Sequence, residues 1–171
     1  MSLEENNVER AKADAAALLE QLSGVYKSYV ENNQPKERSL KGVARLFKKW
    51  ISFNAEAVEP LNQEFLDNVE RITANLSATL EQLKKSDPEL CSAHAAKAAD
   101  IMLSPKPSRE KTTAEWYLTV AEYKSACLLP YLAKSDLKRI RDAQLKATPK
   151  RLMYPKQREL FELMEKLLSE K

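Results

Sequence analysis

Apolar residues recur every three to four positions along most of this chain, the spacing that gathers them on one face of an α-helix. Val8, Ala11, Ala15, Leu18, Leu22, Val25 and Tyr29 alternate steps of three and four, an a/d seam of three heptads that predicts one long helix over 4–31. Asn32-Asn33-Gln34-Pro35 ends it, because the residue before a proline avoids the helical region. Ser39 is the expected N-cap of a second helix over 39–59, with Leu40, Val43, Phe47, Trp50, Asn54 and Ala57 along its seam. Pro60 fits the first turn of a third helix, which carries Leu61, Phe65, Val69, Ile72, Leu76, Leu80 and Leu83 as far as Lys85.

Ser86-Asp87-Pro88-Glu89 combines a capping-box spacing with an Asp-Pro step, so an alanine-rich fourth helix is expected from there to Leu103, with Leu90, Ala93, His94 and Ile101 inward. Ser104-Pro105-Lys106-Pro107-Ser108 reads as a linker. Beyond it, Thr112 and Glu115 cap a fifth helix bearing Trp116, Val120, Tyr123, Cys127 and Leu128, which Pro130 must kink or end. Ser135-Asp136 caps a sixth, with Leu137, Ile140 and Leu145 inward. A basic, proline-rich turn through Tyr154-Pro155 leads to a last helix with Leu160, Phe161, Met164, Leu167 and Leu168 on one face.

The predicted fold class is therefore all-α: an antiparallel helical bundle in which long, coiled-coil-like helices are followed by shorter ones. The first three helices are expected to form an up-and-down unit with Leu18, Leu22, Phe47, Trp50, Val69, Ile72 and Leu76 buried, and Trp116 is the anchor of the later half. We read 1–171 as a single helical domain, with 1–86 and 87–171 as its natural subdivision. Composition agrees. Two glycines in 171 residues are far below the usual share of about 7%, and tight-turned sheets need more.

The same composition narrows the chemistry. Gly24 and Gly42 stand alone inside predicted helices, so no glycine-rich phosphate cradle can be built. His94 is the sole histidine; Cys91 lies three residues before it on the same helix, and two ligands do not make a zinc site. No metal or cofactor is implied. Carboxylate pairs such as Glu64 with Asp67 and Glu159 with Glu162 read as solvated helix faces, and the reading leans away from catalysis. Cys91 and Cys127 read as small buried hydrophobes, and with no apolar signal segment a reducing, cytoplasmic setting is expected.

Charge changes this picture most. Residues 1–34 and 59–90 are acidic on balance, whereas 36–49 and 134–158 are basic. Lys41, Arg45, Lys48 and Lys49 fall within a sector of about 100° opposite Val43, Phe47 and Trp50, a basic amphipathic helix. Lys134, Lys138, Arg139, Arg141, Lys146, Lys150 and Arg151 make up a second basic set, with Lys156, Arg158 and Tyr154 beside it. The simplest reading of the first set is that its basic face meets acidic helices one and three, whereas the second set has no equally acidic neighbour in its own half of the chain. The first functional expectation is a non-catalytic interaction module, an adaptor or complex subunit with a protein partner. Nucleic-acid binding through the two basic stretches is the alternative, and anionic membrane-surface binding by helix 39–59 a further one.

Overall fold

The structure, a computed structural model, describes residues 3–32, 55–102, 120–147 and 149–170. These form helices, turns and short connections, with no strand among the described residues. The long helices are α1 (Leu3–Asn32) and α2 (Ala55–Ser86), and α3 (Pro88–Met102) follows directly. Residues 120–124 are helical and continue into a 3-10 helix, Ala126–Tyr131. Helix α4 (Lys134–Ala147), a 3-10 turn at Lys150–Leu152 and α5 (Pro155–Glu170) complete the chain. The all-α bundle expected from the pattern is the observed architecture.

Helices α1 and α2 are joined near both ends. Tyr29, near the end of α1, donates to Asn62 Oδ1 at 2.7 Å near the start of α2, and Lys12 pairs with Asp87 at the far end. So α1 and α2 run antiparallel as direct neighbours. Residues 33–54, which carry most of the expected second helix with Phe47 and Trp50, lie outside the described residues, as do the 104–108 linker and Trp116. Helix α2 also begins before Pro60 instead of at it. A proline that far into a helix removes a single backbone bond, and the long apolar face beyond it outweighs that loss.

The buried face of α1 is Ala11, Ala15, Leu19, Leu22, Tyr26 and Tyr29, while Leu18 and Val25 of the expected seam are only half-buried. A strict a/d seam serves one partner helix. Here α1 packs on both α2 and α3, which widens the stripe toward the ordinary 3.6-residue period. On α2 the expected stripe is confirmed from Phe65 to Leu83, with Val69, Leu76, Leu80 and Leu83 fully enclosed.

Asp87 makes the corner between α2 and α3. Its N–H donates to Leu83 O at 2.6 Å, closing α2, and its Oδ1 accepts the Leu90 N–H at 3.1 Å, capping α3 ahead of Pro88. Ser86, the other cap candidate, instead turns its hydroxyl back to Gln82 O. Helix α3 buries Cys91, His94, Ala95, Ala98, Ala99 and Met102; Leu90 and Ile101 are half-buried and Ala93 is exposed, so the inward face is rotated from the expected one. Alanines let α3 approach α1 and α2 closely. The helix over 120–124 ends at Ser125, and Pro130 sits within the 3-10 segment that follows. This stretch runs parallel to α2: Lys124 pairs with Glu70, Ser77 Oγ donates to Cys127 O at 3.3 Å, and Tyr131 donates to Glu81 at 3.0 Å. Helices α4 and α5 form an antiparallel hairpin, tied by Arg141 to Glu165 at 2.9 Å, and α4 reaches α3 through Arg139 and Asp100 at 2.6 Å.

Candidate anionic-surface site at the cationic hairpin tip

The basic residues singled out by the sequence separate into three groups. Lys41, Arg45, Lys48 and Lys49 lie outside the described residues. The two arginines of α4 are engaged within the fold: Arg139 pairs with Asp100 and Asp136, and Arg141 with Asp142 and Glu165. Those partners raise the pKa of Arg141, Asp142 first and then Glu165. Lys134 and Lys138 are exposed on the same helix. The partners of the arginines come from α3 and α5 as well as from α4 itself, and counting along the sequence did not join Asp100 and Glu165 to them.

The third group occupies the tip of the α4–α5 hairpin. Residues 145–158 contain Lys146, Lys150, Arg151, Lys156 and Arg158 and no acidic residue. Lys156 reaches Glu159 in the next turn at 2.9 Å, whereas Lys146, Arg151 and Arg158 have no ion-pair partner among the described residues. The same stretch holds three of the four large hydrophobic side chains exposed among the described residues: Leu145 at 36%, Leu152 at 63% and Tyr154 at 59%. The fourth, Leu163, follows on α5. Leu145 was expected inside; it lies in the last turn of α4 and is only marginally exposed, and the helix buries Leu137 and Ile140 instead.

Local backbone geometry explains why Leu152 and Tyr154 face outward together. Leu152 N–H donates to Pro149 O at 2.8 Å, closing the 3-10 turn, and Met153 then adopts extended angles (φ −69°, ψ 135°). In extended backbone, neighbouring side chains point to opposite sides. Met153 is 6% exposed and anchors the turn, which puts the residues on either side of it in solvent. The Tyr154 N–H donates to Gln157 Oε1 at 3.0 Å, the reciprocal half of a capping box, with Pro155 opening α5. Lys150 Nζ lies 5.1 Å from the centre of the Phe161 ring, which holds the turn against α5. Pro149 and Pro155 bracket a turn whose shape is largely set before anything binds.

The rest of the molecule offers less chemistry. An open groove of about 890 Å³ runs between the first half of α1 and the last turns of α2, lined by residues including Arg10, Asp14, Ala78, Glu81 and Lys85. Its charges alternate in sign, so it favours neither anions nor cations. No three or more His, Cys, Asp or Glu residues among those described could share a metal ion. Cys91 is committed to the interior, its Sγ donating to Leu80 O at 3.4 Å. Cys127, expected to be buried, is exposed, and its Sγ contacts Thr73 O at 3.6 Å. The 3-10 geometry around it turns the residue to the edge while Leu128 and Leu129 take the interior.

His94 is buried at 7% exposure, and its Nδ1 has no hydrogen-bond partner among the described residues. Burial, and then nearby Lys97, hold its pKa below the usual histidine value, with Asp87 opposing them. A depressed basic pKa means that the unfolded chain binds the proton more readily. The stability held by neutral His94 is thus fully present above the unfolded value of about 6.5 and is lost as the pH falls through it toward the lower folded value. Between about pH 7.5 and about pH 5.5, the urea midpoint of the wild type should fall more than that of His94→Gln. Equal falls would show that other groups govern the acid limb.

A polar element inside the bundle had no sequence signature. Tyr29, Asn62, Thr73 and Ser125 are buried, and so is Tyr26, whose pKa is raised by burial, then by Glu122. Tyr29 stacks on Phe65 at 3.9 Å and Tyr26 meets it edge-on at 5.3 Å. This is an aromatic hinge point of the α1–α2 pair rather than a pocket. The chain matches no family model, no curated protein and no solved structure. No helix among the described residues is long and apolar enough to cross a membrane.

Proposed function

We propose that this protein is a non-catalytic helical interaction module that docks on an anionic macromolecular surface through the tip of its α4–α5 hairpin. One observation carries the reading: exposed Leu145, Leu152 and Tyr154 share the tip with Lys146, Lys150, Arg151, Lys156 and Arg158, in a stretch that has no acidic residue. Cations left without partners attract polyanions at long range, and exposed apolar side chains that cluster mark a contact surface. The arginines of α4 that already hold Asp100 and Glu165 act as internal ties. A cytoplasmic setting belongs to the same reading, since Cys91 and Cys127 are both free thiols.

Retention on immobilised heparin tests it. The wild type should bind at low salt and elute as salt rises, because each cation contact releases counterions. The Lys146→Glu, Lys150→Glu, Arg151→Glu triple variant should elute far earlier than a control of equal charge, Arg10→Glu, Lys27→Glu, Arg71→Glu. Flow-through of the wild type at low salt, or equal retention of both variants, would refute the reading.

A further inference from the structure

We infer that the surface recognised by the tip is that of an anionic phospholipid bilayer, with Leu152 and Tyr154 entering the headgroup layer and the flanking cations resting on phosphate and carboxylate groups. This rests on the reading above and names its partner.

The argument turns on what each candidate partner does for Leu152. A nucleic acid would satisfy Lys146, Arg151 and Arg158 equally well and could stack on Tyr154, but a phosphate backbone gives a leucine side chain nowhere to go. An acidic protein would need a pocket shaped to receive a convex turn. A bilayer requires no shape: its headgroups take the charges and the boundary of its acyl chains takes the leucine. Tyrosine favours that boundary, with its ring among the chains and its hydroxyl in water. Lysine and arginine extend their stems along apolar material while their heads stay at the phosphates.

The construction of the turn fits such insertion. Met153 is held inside while Leu152 stands at 63% and Tyr154 at 59% exposure, and three backbone N–H groups, of Leu152, Met153 and Tyr154, are all bonded within the turn or its cap. Inserting the tip therefore buries no unbonded N–H from these residues, an expense that keeps most loops out of the interface. With the tip pinned by Met153 and by Lys150 on Phe161, little order has to be acquired on binding. No described helix is long and apolar enough to cross the membrane, so the attachment is peripheral. The cytoplasmic leaflet, negative through its acidic lipids, has the matching sign, and each nearby cation strengthens binding about fivefold there.

The test is flotation of the full chain with phosphatidylcholine vesicles, with and without phosphatidylserine, alongside anisotropy of a labelled single-stranded oligonucleotide and the heparin assay. Phosphatidylserine-dependent flotation is expected. Leu152→Ser with Tyr154→Ser should weaken it tenfold or more, while heparin elution and the thermal melt stay unchanged because both side chains are exposed. Flotation that ignores this double change would overturn the insertion and leave simple charge adsorption. Oligonucleotide or heparin binding without flotation would overturn the lipid assignment and leave the anionic-surface reading standing. Absence of binding in all three assays would remove both.

Discussion

Phe65→Ala lowers the unfolding free energy by about 3–5 kcal/mol, a large part of the 5–15 kcal/mol that holds an ordinary domain together. The ring is 4% exposed, stacks on Tyr29 at 3.9 Å with 14° between planes, and meets Tyr26 at 5.3 Å and 77°. Truncation removes the ring's own burial and leaves two tyrosine faces against a void that the antiparallel α1–α2 contact cannot close without moving both helices. Tyr29 also holds the buried Asn62 Oδ1, so a shift of its ring costs a hydrogen bond in a dry setting. Urea unfolding followed by circular dichroism should show a much lower midpoint with an unchanged slope. A loss below about 1 kcal/mol would mean that the aromatic contact is not a support of this packing.

Ala98→Leu is expected to cost about 1–3 kcal/mol, although it adds apolar volume and keeps helix propensity high. Ala98 is fully enclosed, with Ala95 and Ala99 beside it on the face that α3 presents to α1 and α2. The three small side chains set how closely the axes approach, and a leucine there must force α3 outward or adopt a strained rotamer. The same substitution at exposed Ala93 should be within about 0.5 kcal/mol of neutral. Thermal melts of the two variants compare them directly. Equal behaviour would show that α3 is loosely seated.

How far the fold could be read in advance follows from which forces are local. Helix existence is local: α1 and α3 appear within a residue or two of the limits drawn from capping residues, prolines and apolar spacing, and α5 starts at the expected proline. Asp87 shows why, since its carboxylate and the proline after it act within one turn. Choice between adjacent apolar positions is not local. Leu19 and Tyr26 were buried in preference to Leu18 and Val25 because a second partner helix widened the stripe, and Ala93 lost its place because α3 sits in the angle between two others. For the site, counting charges found the 134–158 stretch, and it could not separate its parts: Arg139 and Arg141 meet Asp100 and Glu165 only after α3, α4 and α5 pack. The pairing of proline with basic residues at 149–155 did mark the turn. That Met153 faces in while Leu152 and Tyr154 face out was invisible, because a proline turn has no repeating period to read.

By itself, then, the sequence determined an all-helical bundle, the limits of α1 and α3 and the location of its positive charge. Those properties depend on backbone propensity, apolar period and composition, which act within a few residues. The tertiary structure alone decided that α1 and α2 are antiparallel neighbours, that an aromatic and asparagine contact joins them, and that part of the basic stretch is spent on internal ties while Leu152 at the hairpin tip is exposed. Such outcomes depend on which surfaces compete for burial and which distant charges come within reach, and both are settled only when the helices pack.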